Sequence, residues 1–89
     1  MVIVSGKLYL RPGSMGEFLE ESMKAVRLAR TAPGCSDFVV AADPLESDRV
    51  NIYEEWETEI ELQKFRADGP EDALSSKIKS AHVTQRVVE

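Results

Sequence analysis

The stretch RVNIYEEWE, residues 49–57, decides the fold, because it is the clearest strand in the chain and carries the only tryptophan. Its side chains alternate between two faces, and one face carries Val50, Ile52, Glu54 and Trp56. A strand packs onto a core through its apolar face. Glu54 interrupts that apolar row, so we expect it either to line a polar pocket or to pair with a neighbouring side chain.

The rest of the chain alternates between strand and helix patterns. Three further strands are predicted over residues 2–10, 35–42 and 79–89, and two helices over residues 15–32 and 58–68. The order strand, helix, strand, strand, helix, strand is that of the ferredoxin-like βαββαβ fold. The predicted class is therefore α+β, with two helices on one face of a four-stranded antiparallel sheet.

The predicted helix boundaries depend on capping and stop signals. Ser14 and Thr58 each precede a glutamate by three residues, which is the spacing of a capping box. Pro33 with its following glycine ends the first helix. Pro70 is expected to begin a short third helix over residues 70–78.

Length and composition limit the possible functions. With 89 residues, the chain is predicted to be one domain, residues 1–89. A net charge of −5 argues against a nucleic-acid partner. No apolar run reaches membrane-spanning length and the first residues lack a basic leader, which predicts a cytoplasmic protein with no membrane partner. The sequence has no metal-ligand motif and one cysteine, so no internal disulfide can form.

A second copy of the chain is expected to cover the sheet face that the helices leave open. A chain this short buries little core, and an apolar sheet face is not left bare. Tyr9, Phe38 and Tyr53 are predicted to lie at that face and to form the homodimer interface.

Four segments of the sequence, in this order and spacing, resemble the antibiotic biosynthesis monooxygenase family of small dimeric proteins. They are RPGSMGEFLE at 11–20, APGC at 32–35, YEEWE at 53–57 and TEIELQKF at 58–65. The resemblance implies a homodimer whose sheets close into a dimeric α/β barrel, with a pocket between sheet and helices in each subunit. Characterised members oxidise aromatic polyketides or quinols with molecular oxygen and no cofactor. Related branches degrade haem, isomerise a signalling sugar or have no known activity.

The catalytic residues of the family match this sequence only in part. Trp56 matches the tryptophan that ends the central strand of the family. The asparagine and tyrosine of the polyketide-oxidising members correspond here to Ile52 and Leu62. The histidine of the quinol-oxidising members has no counterpart in residues 69–72.

The haem-degrading branch also departs from this sequence. Its asparagine, tryptophan and histidine correspond to Gly6, Phe65 and about Ser75, which argues against haem degradation. The resemblance implies an aromatic substrate pocket lined by Gly6, Ile52, Trp56, Leu62 and Phe65, and it implies no cofactor.

Glu54 is the candidate catalytic base. Cofactor-free oxygenation requires a group that takes the proton of a phenol or quinol and holds the anion. Burial beside Trp56 would raise the pKa of Glu54 and suit it to that task. The structural alternative is an ion pair with a nearby Arg or Lys. Trp56 and Phe65 could contact an aromatic substrate or serve only as core residues.

For four other reactive side chains, the sequence favours a structural role over a catalytic one. His82 is the only histidine and falls on the less apolar face of the last strand, which indicates a surface or dimer contact. Cys35 is predicted to be a small buried apolar residue. Lys77 and Arg86 could hold an anionic oxygen, but the sequence favours a solvated surface charge for each.

Three functions are therefore kept open. The first is a cofactor-free monooxygenase acting on a small quinol- or anthrone-like substrate. The second is a non-catalytic ligand-binding or accessory protein on the same dimeric scaffold. The third is a cofactor-free isomerase or cyclase, because fold similarity alone does not choose among these activities.

Overall fold

The computed structural model describes residues 1–68 and 72–89. Its elements are β1 (Val2–Leu10), α1 (Met15–Thr31), β2 (Cys35–Ala42), β3 (Arg49–Trp56), α2 (Glu59–Asp68), a short 3₁₀ helix (Asp72–Lys77) and β4 (Ile78–Val87). The strands form one sheet in the order β2-β3-β1-β4, and each neighbouring pair is antiparallel. The predicted ferredoxin-like α+β fold is confirmed.

The helix starts differ from one another in how they are capped. Thr58 caps α2 as predicted: its hydroxyl accepts a hydrogen bond from the Glu61 backbone N–H at 3.2 Å and donates to Glu61 Oε1 at 2.9 Å. The predicted capping box at Ser14 is wrong, because Ser14 has a helical backbone and makes no side-chain cap hydrogen bond. The short third helix is a 3₁₀ helix over Asp72–Lys77, and the predicted residues 70–71 lie outside the described chain.

The core lies between the helices and one face of the sheet. One cluster of buried side chains gathers under α2 and the end of α1, and it contains Val2, Val4, Ala29, Phe38, Trp56 and Leu62. A second cluster lies at the start of α1 and contains Leu10, Phe18 and Val50. The even-numbered residues of β1 and β3 therefore face the helices, as the alternation of β3 predicts.

Phe38 lies on the helix-covered face, so its predicted place on the open face is wrong. Phe38 is opposite Glu54 in the β2–β3 register and is only 7% exposed. A bulge between Cys35 and Asp37 inserts one extra residue in β2. Strict alternation from the inward-facing Cys35 would turn Phe38 outward, and the bulge reverses that direction.

The open face of the sheet carries a mixture of aromatic, aliphatic and charged side chains. Tyr9 and Tyr53 lie on this face as predicted, together with the aliphatic Ile3 and Val39. These four side chains are half-buried within the single chain. The apolar side chains of this face therefore lie among polar neighbours such as Ser5, Lys7 and Asn51.

Asp43 organises the turn between β2 and β3. Its carboxylate accepts hydrogen bonds from Asn51 Nδ2 at 2.8 Å and from the backbone N–H groups of Glu46 and Leu45 at 2.9 and 3.0 Å. These bonds, chiefly that from Asn51, favour the ionised form and lower the pKa of Asp43 to about 2. The loop is therefore fixed by a carboxylate that stays ionised in moderate acid.

We expect Asp43→Asn to lower the melting temperature at pH 7, and we expect the difference from wild type to shrink as the pH falls from about 4 towards 2. A lowered pKa stabilises the folded state above the ordinary pKa, and that contribution is lost as the pH falls through the folded value. Thermal melts across this range test it, with Asp48→Asn in the same loop as the control. Equal effects of the two variants, or a difference independent of pH, would contradict this account of the loop.

Candidate active site

Glu54 occupies the middle of β3 on the helix-covered face. It lies between Val4 of β1 and Phe38 of β2, both of which are buried. Its Oε1 accepts a hydrogen bond from Trp56 Nε1 at 3.0 Å. Burial raises the pKa of Glu54, while the indole hydrogen bond and the positive charge of Arg66 oppose that rise. Glu54 is thus a partly desolvated carboxyl group held by a neutral donor.

The ion pair considered for Glu54 is not found in the part of the chain that the structure describes. The carboxylates there that lie within 4.0 Å of a Lys or Arg nitrogen belong to Glu17, Glu21, Asp43 and Glu46. Arg66 acts on Glu54 only through attraction at longer range. The indole of Trp56 therefore orients the carboxylate without neutralising its charge, which leaves the group able to accept a proton.

Three aromatic rings pack together beside Glu54. The ring centroids of Trp56 and Phe65 are 5.3 Å apart, and those of Phe65 and Phe38 are 5.8 Å apart with the rings edge to face. Trp56 and Leu62 are both 0% exposed, so they act as core residues in this structure. Phe65 is half-buried and reaches the surface, so it is the ring in this cluster that a ligand can contact.

Gly6 and Ile52 face each other on β1 and β3, two residues along the strands from Val4 and Glu54. Ile52 is half-buried against the second core cluster. At Gly6 the backbone of β4 passes so close that an added Cβ would lie 2.1 Å from the carbonyl oxygen of His82. Gly6 therefore serves the close approach of two strands, which is a common role for glycine inside a sheet.

A surface pocket of about 130 Å³ opens where the end of α1 meets α2. Its walls are almost entirely apolar, and its lining residues are Ala32, Pro33, Glu61, Lys64 and Phe65. Of the residues predicted to bind substrate, Phe65 is the one that lines this pocket. The sequence did not predict the other four lining residues, which are Ala32, Pro33, Glu61 and Lys64. The spacing of Glu61, Lys64 and Phe65 nevertheless places these three on one side of a helix.

His82 and Arg86 lie on the open face of the sheet, away from Glu54. His82 is opposite Lys7 of β1, and its ring is 6.1 Å from that of Tyr9 in an edge-on arrangement. Arg86 is opposite Ile3 on the same face. Neither side chain belongs to the group around Glu54.

Cys35 and Lys77 also have structural partners. The Cys35 thiol is half-buried, lies 3.5 Å from the carbonyl oxygen of Asp37, and has a pKa that burial raises. Lys77 pairs with Glu17 of α1 at 3.4 Å. A raised thiol pKa makes Cys35 a poor nucleophile, and the partly exposed ion pair links the 3₁₀ helix to the start of α1.

The described residues, 1–68 and 72–89, contain neither a metal-binding cluster nor a membrane-spanning helix. Among their His, Cys, Asp and Glu side chains, no group of three or more is placed to hold a metal ion. None of the helices in these ranges is both long enough and apolar enough to cross a membrane.

The fold and the site define a small α+β protein that holds a partly buried acid beside a cluster of aromatic rings. The family model described as antibiotic biosynthesis monooxygenase matches residues 1–70. The chain belongs to the antibiotic biosynthesis monooxygenase family.

Solved structures agree with this placement at the level of fold. A structure described as antibiotic biosynthesis monooxygenase is 17% identical over 100% of this chain and 99% of its own, with a TM-score of 0.86. A conserved protein of Methanosarcina mazei is 21% identical over 96% and 89% of the two chains, with a TM-score of 0.84. Rv0793 from Mycobacterium tuberculosis is 15% identical over 99% of this chain and 94% of its own, also with a TM-score of 0.84. No curated protein matches the sequence.

Proposed function

We propose that this protein is a cofactor-independent monooxygenase that oxidises a small aromatic, quinol- or anthrone-like substrate with O₂. The observation that carries the proposal is Glu54, whose carboxylate is partly buried among apolar side chains and bound by Trp56 Nε1 rather than by a cation. Membership of the antibiotic biosynthesis monooxygenase family supports the same reaction class.

The proposed reaction begins with a proton transfer to Glu54. A raised pKa makes this carboxylate a stronger base than an exposed glutamate, which suits it to accept the hydroxyl proton. The resulting substrate anion passes one electron to O₂, and recombination forms a carbon–oxygen bond. Loss of water from the peroxide leaves one oxygen atom in the product and the other in water. All the electrons come from the substrate, so the balance needs no external reductant.

The proposed site residues have distinct tasks. Glu54 takes the proton, and Trp56 orients its carboxylate through the indole N–H. Phe65 offers its ring to the substrate from the surface side. Ile52 supplies an apolar boundary opposite Gly6, which suits an aromatic ring better than a charged ligand.

A non-catalytic ligand-binding or accessory role is the second candidate. It is favoured by Ile52 and Leu62, which stand where the polyketide-oxidising members carry asparagine and tyrosine, and Leu62 is fully buried. Such a protein would show a higher melting temperature with ligand and no turnover. The third candidate, an isomerase or cyclase, would convert its substrate without oxygen.

The proposal is tested by measuring oxygen consumption by the purified, metal-stripped protein when hydroquinones and anthrones are supplied as substrates. We expect uptake well above the rate of substrate autoxidation for at least one compound, and none after heat denaturation of the protein. An oxygen uptake rate equal to the autoxidation rate for every compound would overturn the proposed monooxygenase activity. Product formation under nitrogen would instead favour the isomerase or cyclase.

We further propose that residues 1–89 form a one-domain subunit of a cytoplasmic homodimer. The open face of the sheet supports this proposal, because the aromatic and aliphatic side chains of Tyr9, Tyr53, Ile3 and Val39 lie half-buried on it. A second sheet placed on this face would bury these side chains and yield the dimeric barrel that the family resemblance implies.

Light scattering at micromolar concentration should give twice the chain mass of 9.9 kDa. We expect Val39→Lys to shift the mass towards the single chain, because it places a charge within the proposed contact. Leu45→Lys, at a residue that is 93% exposed, is the control and should leave the mass unchanged. A clean mass of 9.9 kDa for the wild type would contradict the dimer.

A further inference from the structure

Arg66 of α2 places a positive charge on the same side of the sheet as Glu54. Gln85 of β4 is opposite Val4, and Val4 is opposite Glu54, so the three side chains form one row on the helix-covered face. Arg66 Nη1 donates a hydrogen bond to Gln85 Oε1 at 3.4 Å. The positive charge opposes the effect of burial on the pKa of Glu54. The Cys35 thiol of β2 also interacts with Glu54, but burial raises its pKa and keeps it uncharged at neutral pH.

Gln85 orients the guanidinium of Arg66 from β4. While its oxygen accepts the bond from Arg66, its Nε2 donates to Glu59 Oε1 at 3.5 Å. Glu59 and Arg66 lie two helical turns apart in α2, on the side that faces β4. Among the described residues, no carboxylate lies within 4.0 Å of Arg66. Arg66 is therefore held by a neutral amide, and its charge and further N–H donors remain available to an anion.

The sheet beside this row is accessible from the β4 side. The neighbouring row on the same face consists of Ile52, Gly6 and Val83. Gly6 contributes no side chain, and Val83 of the edge strand β4 is 40% exposed. The helices therefore leave part of this face open to solvent next to Gln85 and Arg66.

Proton transfer to Glu54 moves a negative charge rather than creating one. The O–H bond of the substrate breaks, an O–H bond forms on the carboxylate, and the electron pair stays on the phenolic oxygen. The negative charge thus passes from Glu54 to a substrate oxygen beside it. A fixed cation that attracts both positions stabilises the anion without any rearrangement, and the attraction is stronger in a partly desolvated site than in water.

We infer that Arg66 is a second catalytic group, which holds the phenolate oxygen formed when Glu54 takes the substrate proton, and that Gln85 is the positioning residue for its guanidinium. The inference rests on the proposed function and adds an anion-holding group to it. The substrate enters over Gly6 from the β4 side, so that its hydroxyl reaches the space between Glu54 and Arg66.

The two cations that the sequence suggested for this task lie elsewhere. Lys77 pairs with Glu17, and Arg86 lies on the open face of the sheet. Arg66 has no local signal in the sequence, because its bond to Gln85 joins residues that are 19 apart in the chain.

Binding of 4-nitrophenol under argon tests the anion site without turnover. Its phenolate absorbs visible light and its neutral phenol does not, so the spectrum reports the ionisation of the bound ligand. Glu54→Gln is the background for this test, because its neutral amide stands in for the protonated acid. In this variant we expect the bound ligand to ionise about one pH unit or more below the free ligand, a tenfold preference for the anion.

Variants of Arg66 made in the Glu54→Gln background assign that shift. Arg66 is exposed, so its replacement should leave the fold intact. Arg66→Met should remove the shift, and Arg66→Lys should keep most of it because the charge remains. Arg27→Met, the same change at an exposed arginine of α1, should leave the shift unchanged. A shift that survives Arg66→Met, an equal loss in Arg27→Met, or no binding of 4-nitrophenol by Glu54→Gln would overturn the inference.

Oxygen uptake with the Glu54 side chain intact provides a second readout. Because Arg66 opposes the rise in the pKa of Glu54, its loss raises that pKa further. In Arg66→Met, the fall in uptake on acidification should therefore begin at a higher pH, and kcat on the alkaline side should drop about tenfold or more with a smaller change in KM. Gln85→Leu should show the same two changes to a smaller extent, whereas a purely structural role of Arg66 would not move the pH dependence.

The two proposals fail separately. An ionisation shift of 4-nitrophenol that depends on Arg66, with no oxygen uptake by the wild type, would support the anion site and overturn the monooxygenase. Oxygen uptake whose kcat and pH dependence are unchanged in Arg66→Met would support the monooxygenase and overturn the role of Arg66.

Discussion

Glu54→Gln should reduce oxygen uptake about 100-fold or more, since a positioned general base contributes roughly 10²–10⁴ in rate. Glutamine has nearly the same shape, and its amide oxygen can still accept the hydrogen bond from Trp56 Nε1, which is 3.0 Å long in the wild type. The amide cannot take a proton from the substrate. The loss should therefore appear in turnover, with little change in hydroquinone binding.

The pH dependence of the same variant separates a catalytic role from a structural one. Burial raises the pKa of Glu54, so wild-type uptake should fall as the pH drops through a value above the ordinary glutamate range. A raised carboxyl pKa stabilises the fold at low pH, and this contribution is lost as the pH rises through the raised value. We therefore expect Glu54→Gln to melt at or above the wild-type temperature at pH 8.

Glu57→Gln is the matched control, because Glu57 is an exposed residue just after β3. It should retain wild-type uptake at every pH. Uptake by Glu54→Gln at the wild-type rate would remove Glu54 from the mechanism. An equal loss in Glu57→Gln would show that the effect is not specific to the buried carboxylate.

Gly6→Ala should destabilise the fold by about 3 kcal/mol or more, the upper range for overpacked positions. An added Cβ would lie 2.1 Å from the carbonyl oxygen of His82 and 2.7 Å from Cα of Val83. Both are backbone atoms of β4, so the strand itself must move away from β1. A chain of this size would lose about 15 °C in melting temperature.

Gly16→Ala provides the control for the same chemical change. Gly16 lies in α1, and an added Cβ there would meet no atom within 4 Å. Alanine is the better helix former, so this variant should be neutral or more stable by up to about 1 kcal/mol. Urea unfolding measures both variants. A Gly6→Ala midpoint close to that of Gly16→Ala would contradict the close approach of β1 and β4.

The fold was predictable from the sequence because its local signals agree. The alternation in β3 correctly predicted which of its residues face the helices, and the capping pattern at Thr58 correctly predicted where α2 begins. Phe38 was misplaced because the bulge between Cys35 and Asp37 has no clear sequence signal. A single extra residue in a strand reverses every later side chain, which periodicity alone cannot detect.

The candidate site was predictable only where one residue broke a pattern. Glu54 was found because a carboxylate in an apolar row requires an explanation, and its partner proved to be Trp56 on the same strand face. The pocket was missed because it depends on how α2 packs against the end of α1. Ala32 and Lys64 are far apart in sequence, and no local rule brings them together.

The ratio of oxygen consumed to product formed, with and without catalase, tests the central claim most directly. A monooxygenase that places one oxygen atom in the product and one in water consumes one O₂ per product and releases no hydrogen peroxide. We therefore expect a ratio of one that catalase does not change. Return of half the consumed oxygen on adding catalase, or product formed without oxygen, would contradict the account.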